Sequence, residues 1–258
     1  MRKLSVLALG VIAAFVMSTL ASAAEGNGEA RPPLPAGAVQ VSEDVYYLGK
    51  KNVDGVELEG YAFVRRAKGH STRLQGGANA AGKGKPPKAC YSLIGFPAWT
   101  SAEAWKVNES NAEVSTMWSD MQAGIGAWEA ASGAEIFGSG SIDNSVHANP
   151  SADGQNVVEF GNAGGGGIVA VTYVWGSRRV AIYEWDMIFG SSWEWSDGGS
   201  STTFDFLSVA MHEIGHAAGL DHPASTCTQE TMYAYVDFGQ THQRTLNDGD
   251  VAGINALY

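Results

Sequence analysis

Three histidines and one glutamate near the C-terminus have the types and spacing of a metal-dependent catalytic centre. His212 and His216 are four residues apart in the stretch HEIGHAAGLDH, and Glu213 directly follows the first of them. Residues four apart on a helix project from one face, so both imidazoles can bind one cation, and the pair suits zinc. Gly219 can end the helix in a left-handed conformation, which would bring His222 back as a third ligand.

These residue types indicate hydrolytic chemistry. Three protein nitrogens leave the fourth position of a tetrahedral zinc open, which is typical of a catalytic rather than a structural site. Glu213 lies roughly 100° round the helix from His212, where its carboxylate can take a proton from a zinc-activated water. We therefore predict zinc ligands at His212, His216 and His222 and a general base at Glu213. The alternatives are a zinc-dependent protein-binding module without turnover, for which the acid is not needed, and a non-peptide hydrolase on the same site.

The helix that carries the histidines is predicted from its cap and its apolar spacing. Asp205 is the N-cap candidate, and apolar residues follow at intervals of three and four up to Ala218. The same spacing predicts a helix over 114–128 that Gly133 ends, and a last helix with Asn247 as N-cap and Asp250 three residues later. Strands are predicted at 134–137, 156–160, 168–175 and 180–189, which are rich in Val, Ile, Tyr and Trp.

The N-terminal residues 1–23 have the layout of a secretory signal peptide. Two basic residues precede an apolar run that ends in the small residues Ala21, Ser22 and Ala23. This pattern predicts a secreted, extracellular protein, with an uncleaved membrane anchor as the alternative. No other stretch is long and apolar enough to span a membrane, so no membrane span is expected once the signal is removed.

The charge of the exported chain is divided unevenly at about residue 88. Residues 24–88 contain 10 Lys and Arg against 7 Asp and Glu, whereas residues 89–258 contain 4 against 20. Such an acidic C-terminal part argues against nucleic acid as a partner. The first part has a small β unit at 39–66 and a Gly-, Ala- and Lys-rich linker at 69–88. We predict that 24–88 is a removable pro-segment that inhibits the acidic part, with a permanently attached β subdomain as the alternative.

Two further sets of residues are candidates for stabilising contacts. Cys90 and Cys227 are the two cysteines of the chain, and export favours a disulfide between them over two free thiols or a ligating thiolate. Carboxylate and amide oxygens suit calcium, although no EF-hand spacing is present. The candidate calcium ligands are Asp153, Asn156, Glu184 and Asp186.

The pattern HExxHxxGxxH with a methionine downstream resembles the metzincin metallopeptidases. Together with TMY and DVAGINALY it is similar to the matrixin group over residues 89–258. The resemblance implies an α+β catalytic domain with a twisted five-stranded mixed sheet, three helices, one catalytic zinc and secreted endopeptidase activity on proteins or peptides. It implies that Met232 is the Met-turn residue beneath the metal. It also implies that substrate lies extended along an antiparallel edge strand, formed by Ile168, Val169, Ala170, Val171 and Thr172.

The chain departs from the matrixin pattern at several positions. Pro223 follows the third histidine where matrixins usually have Ser, and Gly249 replaces the first acid of a usual pair, of which Asp250 is the second and can support the Met-turn. No histidine stands in IVAVTYVW, so a second, structural zinc is not expected. The zinc-blocking cysteine motif PRCGxPD is absent as well. Cys90 in KPPKACYSL is therefore a candidate switch thiol, which competes with its role in a disulfide.

Overall fold

The computed structural model describes residues 31–70 and 89–258 of the chain. The predicted signal peptide at 1–23 and residues 71–88 of the predicted linker lie outside these ranges. Within them, no helix has the length and apolarity to cross a membrane. The strands are β1 Val39–Ser42, β2 Val45–Val53, β3 Val56–Ala67, β4 Ser92–Leu93, β5 Glu103–Asn108, β6 Phe137–Ile142, β7 Val157–Gly161, β8 Ile168–Gly176, β9 Ile182–Gly190, β10 Trp195–Ser196, β11 Phe204–Asp205, β12 Leu220–Asp221 and β13 Tyr235–Val236, and the helices are α1 Met117–Ser132, α2 Phe206–Ala217 and α3 Asp248–Leu257, with a 3-10 turn at His242–Arg244.

Five strands form the mixed sheet that the resemblance implied. Their order is β6, β5, β7, β9 and β8, of which the first four are parallel and β8 is antiparallel to β9. Apolar clusters cover both faces of this sheet, and every residue of β8 is buried. Strands covered on both faces are expected to be continuously apolar, as β8 is. The prediction of an α+β domain with a mixed sheet and three helices is confirmed.

The N-terminal β unit extends this same sheet and is not a separate layer. β3 pairs antiparallel with β8 from Glu59 opposite Gly176 to Arg66 opposite Ile168, and β2 and β1 follow outwards. β8 is thus paired on both sides. The prediction of a free edge at 168–172 is wrong for the intact chain, because the long β3 satisfies the backbone groups that an edge would leave unpaired.

The helix ends follow the sequence signals. Asp205 caps α2, since its Oδ1 accepts the Ser208 N–H at 2.9 Å. Gly133 ends α1 with a φ of 69°, and Asn247 and Asp250 form a capping box at α3. The strand predicted at 134–137 begins only at Phe137. The residues before it bend round the end of α1, where the Glu129 carboxylate accepts the Ile136 and Phe137 N–H groups.

Candidate functional site

Three imidazoles converge where α2 ends and the chain turns back. The Nε2 atoms of His212 and His216 are 3.0 Å apart, and each lies 3.1 Å from Nε2 of His222. Two nitrogens at 2.0–2.1 Å from a tetrahedral zinc would be about 3.3 Å apart, so the spacing matches one shared ion. The turn depends on Gly219, whose φ of 108° is a conformation that residues with a Cβ rarely adopt.

Backbone carbonyls orient two of the rings toward the common point. Nδ1 of His212 lies 2.8 Å from the Thr231 carbonyl oxygen, and Nδ1 of His216 lies 2.8 Å from that of Leu220. A carbonyl oxygen can only accept, so these contacts assign the proton to each Nδ1 and leave a lone pair on each Nε2. At His212, the protonated Nδ1 then faces the Arg65 guanidinium without a hydrogen bond between them. Burial lowers the pKa of all three imidazoles, that of His216 to about 3, so the rings are neutral. Inward-facing lone pairs on neutral imidazoles fit a zinc ion.

Glu213 lies fully buried one residue after His212. Its Oε2 accepts a hydrogen bond from the hydroxyl of Thr172 on β8. Its Oε1 is buried and has no hydrogen-bond partner among the described residues. Burial raises the pKa of this carboxyl to about 7. One oxygen is thus held in place while the other can accept a proton, as a general base requires.

Met232 packs beneath the helix that carries the histidines. It is buried, and a Cβ built on Gly215 of α2 would lie 2.2 Å from its sulfur. The close approach therefore needs glycine at this position, between the two histidines of α2. The Asp250 carboxylate on α3 accepts the backbone N–H groups of Thr231 at 2.7 Å and Met232 at 3.1 Å. Asp250 thereby fixes the loop whose Thr231 carbonyl orients His212.

β3 runs across the histidine cluster, between β8 on one side and β13 on the other. The ring of Phe63 stacks on His216 with centroids 4.5 Å apart, and the Arg65 guanidinium contacts the His212 ring. Arg66 then donates its backbone N–H to the Ala234 carbonyl at 3.3 Å, and β13 pairs parallel with β3. An extended segment of the chain therefore covers the site.

Sequence reasoning did not identify the residues of β3 as part of the site. Arg65 and Arg66 are both fully buried. A pair of arginines inside an otherwise apolar strand is a signal that could have found them, because buried cations need dedicated partners. The buried Gln243, which accepts from Arg65, carried no such signal in the sequence.

The structure joins Cys90 and Cys227 in a disulfide. The bond links the segment before β4 to the loop that follows His222. The sulfur of Cys90 is engaged in this bond and is therefore not a free thiolate, as a switch thiol would have to be.

Three of the four candidate calcium ligands form a second cluster, in the loop before β7 and on β9. Carboxylate oxygens of Asp153, Glu184 and Asp186 lie within 4.8 Å of one another. Backbone amides donate hydrogen bonds to two of these carboxylates. Glu184 accepts the N–H groups of Asp153 and Gly154, and Asp186 accepts the N–H of Val157 at 2.9 Å. The fourth candidate, Asn156, bridges two strands instead, because its amide bonds the Ala104 carbonyl and the Trp185 N–H.

Comparison with known proteins identifies relatives of the chain. The family model described as Matrixin matches residues 60–258. Matrilysin of Rattus norvegicus is 37% identical over 73 residues, and matrilysin of Homo sapiens is 36% identical over 73 residues. The aligned stretch covers 28% of this chain and 26% of each relative, so the similarity spans about a quarter of these curated proteins.

Proposed function

The family match covers more than three quarters of the chain, which therefore belongs to the matrixin family of zinc metallopeptidases, and we propose that it is a secreted endopeptidase with Glu213 as its general base. The observation that carries this proposal is the convergence of three Nε2 atoms beside a buried carboxylate with a free oxygen. His212, His216 and His222 would hold the zinc. The signal-like residues 1–23 support export.

The chain's own residues supply the proton transfers. When bound, zinc polarises the scissile carbonyl group and lowers the pKa of water toward about 7. Oε1 of Glu213 accepts a proton from the attacking water and then donates it to the leaving amine. The Thr172 hydroxyl holds Oε2 throughout, so the free oxygen keeps its direction.

The backbone of the cleft suits an extended peptide. β8 and β13 present their hydrogen-bonding groups toward each other across a gap that one strand fills, as β3 does in the intact chain. A substrate in that gap would complete both ladders, which explains how a peptide of varied sequence can be held across the zinc. Residues 168–172 would then be the strand along which substrate lies once β3 has left.

The same arrangement supports latency of the intact chain. β3 occupies the gap, and Phe63 and Arg65 cover the rings of two zinc ligands. The net charge of +3 on residues 24–88 is attracted to the −16 of residues 89–258. Cleavage in the stretch 68–88 and departure of the N-terminal strands would open the cleft.

Substitution of Glu213 tests the assigned chemistry. We expect Glu213→Ala to retain one zinc per chain and to lose casein cleavage by about 100- to 10,000-fold. The matched control is Glu194→Ala, an exposed glutamate outside the cluster, which should keep both zinc and activity. Metal analysis and proteolysis with and without a chelator provide the measurements. Glu213→Ala with near wild-type cleavage would contradict the role of the base.

N-terminal sequencing of the active secreted protein tests latency. We expect a mature terminus between residues 68 and 89, with full-length chain inactive until that cut is made. An active protein whose terminus lies before residue 66 would retain the covering strand and contradict the proposal.

A further inference from the structure

Arg65 fills a side-chain pocket next to the histidine cluster. The side chain is fully buried, and its Nη2 donates to Oε1 of Gln243 at 2.6 Å. Its Nη1 donates to the carbonyl oxygens of Tyr233 and, at 3.4 Å, of Thr231. The guanidinium is thus surrounded by three oxygens, from the loop that follows the third histidine and from the 3-10 turn beyond it, and by Nδ1 of His212, which Nη1 contacts.

The oxygens of this pocket are fixed in place by other contacts. Gln243 is buried, and its Nε2 donates to the Glu230 carbonyl at 3.3 Å, so its Oε1 must face Arg65. Thr231 is held by Asp250, whose carboxylate accepts the Thr231 backbone N–H at 2.7 Å. Contacts other than those with Arg65 therefore hold the acceptors of this pocket. An aliphatic side chain in this place would leave the buried Oε1 of Gln243 without its donor, which is costly.

The course of β3 shows which side chain of a bound peptide enters the pocket. Phe63 and Arg65 are two residues apart on one face of the strand, and they contact the rings of His216 and His212 respectively. The backbone around Val64 therefore crosses the histidine cluster between these two contacts. A substrate that pairs with β8 and β13 in the same direction, with its cleaved bond at the place of the Val64–Arg65 bond, puts the residue that follows that bond into the pocket.

We propose that this pocket selects substrates with a basic residue, arginine above lysine, directly after the cleaved peptide bond, and that Gln243 determines this specificity. The inference rests on the proposed endopeptidase function and names its substrate class. Arginine is preferred because its planar fork of donors can reach the side-chain amide and the carbonyl oxygens together, whereas lysine offers a single point charge.

Peptide cleavage by the processed, zinc-loaded protein tests the preference. Peptides that differ only in the residue after the cleaved bond, Arg, Lys, Gln, Leu or Glu, are compared by kcat/KM, with the cut located by mass spectrometry. We expect arginine to exceed leucine by at least ~100-fold, since sites built to bond a polar group reject analogues that lack it. Equal rates or a preference for leucine would overturn the inference and leave the endopeptidase intact. Cleavage of none of the peptides would overturn the proposed function itself.

Variants of the pocket provide the matched comparison. Gln243→Leu should lower the ratio of arginine to leucine cleavage by at least ~10-fold, because it removes the acceptor at the end of the guanidinium. Gln229→Leu replaces an exposed glutamine nearby and should leave the ratio unchanged. A Gln243→Leu variant with the wild-type ratio would show that Gln243 does not determine the preference for arginine.

A second measurement needs no turnover. In the zinc-free full chain, the protection of the β3 amides from hydrogen exchange measures how tightly the side chain at position 65 binds in the pocket. We expect Arg65→Lys to stay within about tenfold of wild-type protection and Arg65→Leu to lose considerably more. Equal or greater protection in Arg65→Leu would show an apolar pocket and overturn the proposal.

Discussion

Two clusters in the described part of this chain bring potential metal ligands within 4.8 Å of one another, and they differ in how their ligand atoms are already used. In the histidine cluster, backbone carbonyls bind the Nδ1 atoms of His212 and His216, and the Nε2 atoms are left facing each other. In the carboxylate cluster, backbone amides bind oxygens of Glu184 and Asp186.

The difference separates a centre prepared for an ion from a cluster that the fold can stabilise without one. Neutral rings whose lone pairs converge have no favourable contact with one another until a cation enters. Buried carboxylates that accept amide N–H groups are partly compensated already. Burial still raises the pKa of Glu184 to about 7 and that of Asp186 well above its usual range, so protons relieve their repulsion.

The largest contrast is expected from removing one ligand of each cluster. His216→Asn should reduce the zinc content from one per chain to near zero and abolish peptide cleavage, because two imidazoles hold the ion far less tightly. Asp186→Asn keeps an oxygen that can accept the Val157 N–H and should retain both zinc and activity. Metal analysis and casein cleavage measure the two variants side by side. Loss of zinc in Asp186→Asn would contradict the assignment of the zinc to the histidine cluster alone.

A smaller effect on metal binding is expected when a residue that supports the histidine cluster is replaced. Asp250→Ala removes the acceptor of the Thr231 and Met232 amides, and Thr231 orients His212 through its carbonyl. Such outer contacts typically contribute about 10- to 100-fold to metal affinity. We expect a loss of that size in competition with a chelator. Asp248→Ala, an exposed acid two residues earlier, is the control and should show none.

The carboxylate cluster should make stability depend on pH. Because burial raises the pKa of Glu184 to about 7, its protonated form favours the folded state. This contribution of Glu184 to the stability of the fold is complete below pH 4.5, the ordinary pKa of glutamate. It is lost as the pH rises through about 7, the pKa of Glu184 in the folded state. Urea unfolding between pH 5 and 8 should therefore show a falling free energy of unfolding, and Glu184→Gln should flatten the slope. If the free energy of unfolding of Glu184→Gln falls with pH as steeply as that of the wild type, other groups cause the pH dependence.

The smallest effect concerns calcium, which stays a prediction for Asp153, Glu184 and Asp186. Calcium must displace protons from these carboxyl groups, so any rise in the thermal midpoint should be absent at pH 5 and reach a few degrees at pH 8. Thermal unfolding with and without millimolar calcium measures it, and Glu184→Gln should abolish it. A thermal midpoint that calcium does not raise at pH 8 would contradict calcium binding at this cluster.

The parts of the fold that sequence could predict are those with local causes. Asp205, Gly133 and Asn247 act on helix ends within a few residues of themselves, and all three perform the predicted role. The strands β7, β8 and β9 were located by their apolar composition. The start of β6 was misplaced because the Glu129 side chain, seven residues away, bonds the backbone before it.

The histidine cluster can be predicted from the sequence alone, because the spacing of three imidazoles along one helix and its glycine turn is a local property. The strand that covers this cluster is set by contacts between distant parts of the chain. The pairing of β3 with β8 joins residues more than 100 positions apart, and no periodicity in either strand specifies its partner. The burial of Arg65 depends on that pairing and on a loop and a turn much later in the chain, which supply its acceptors.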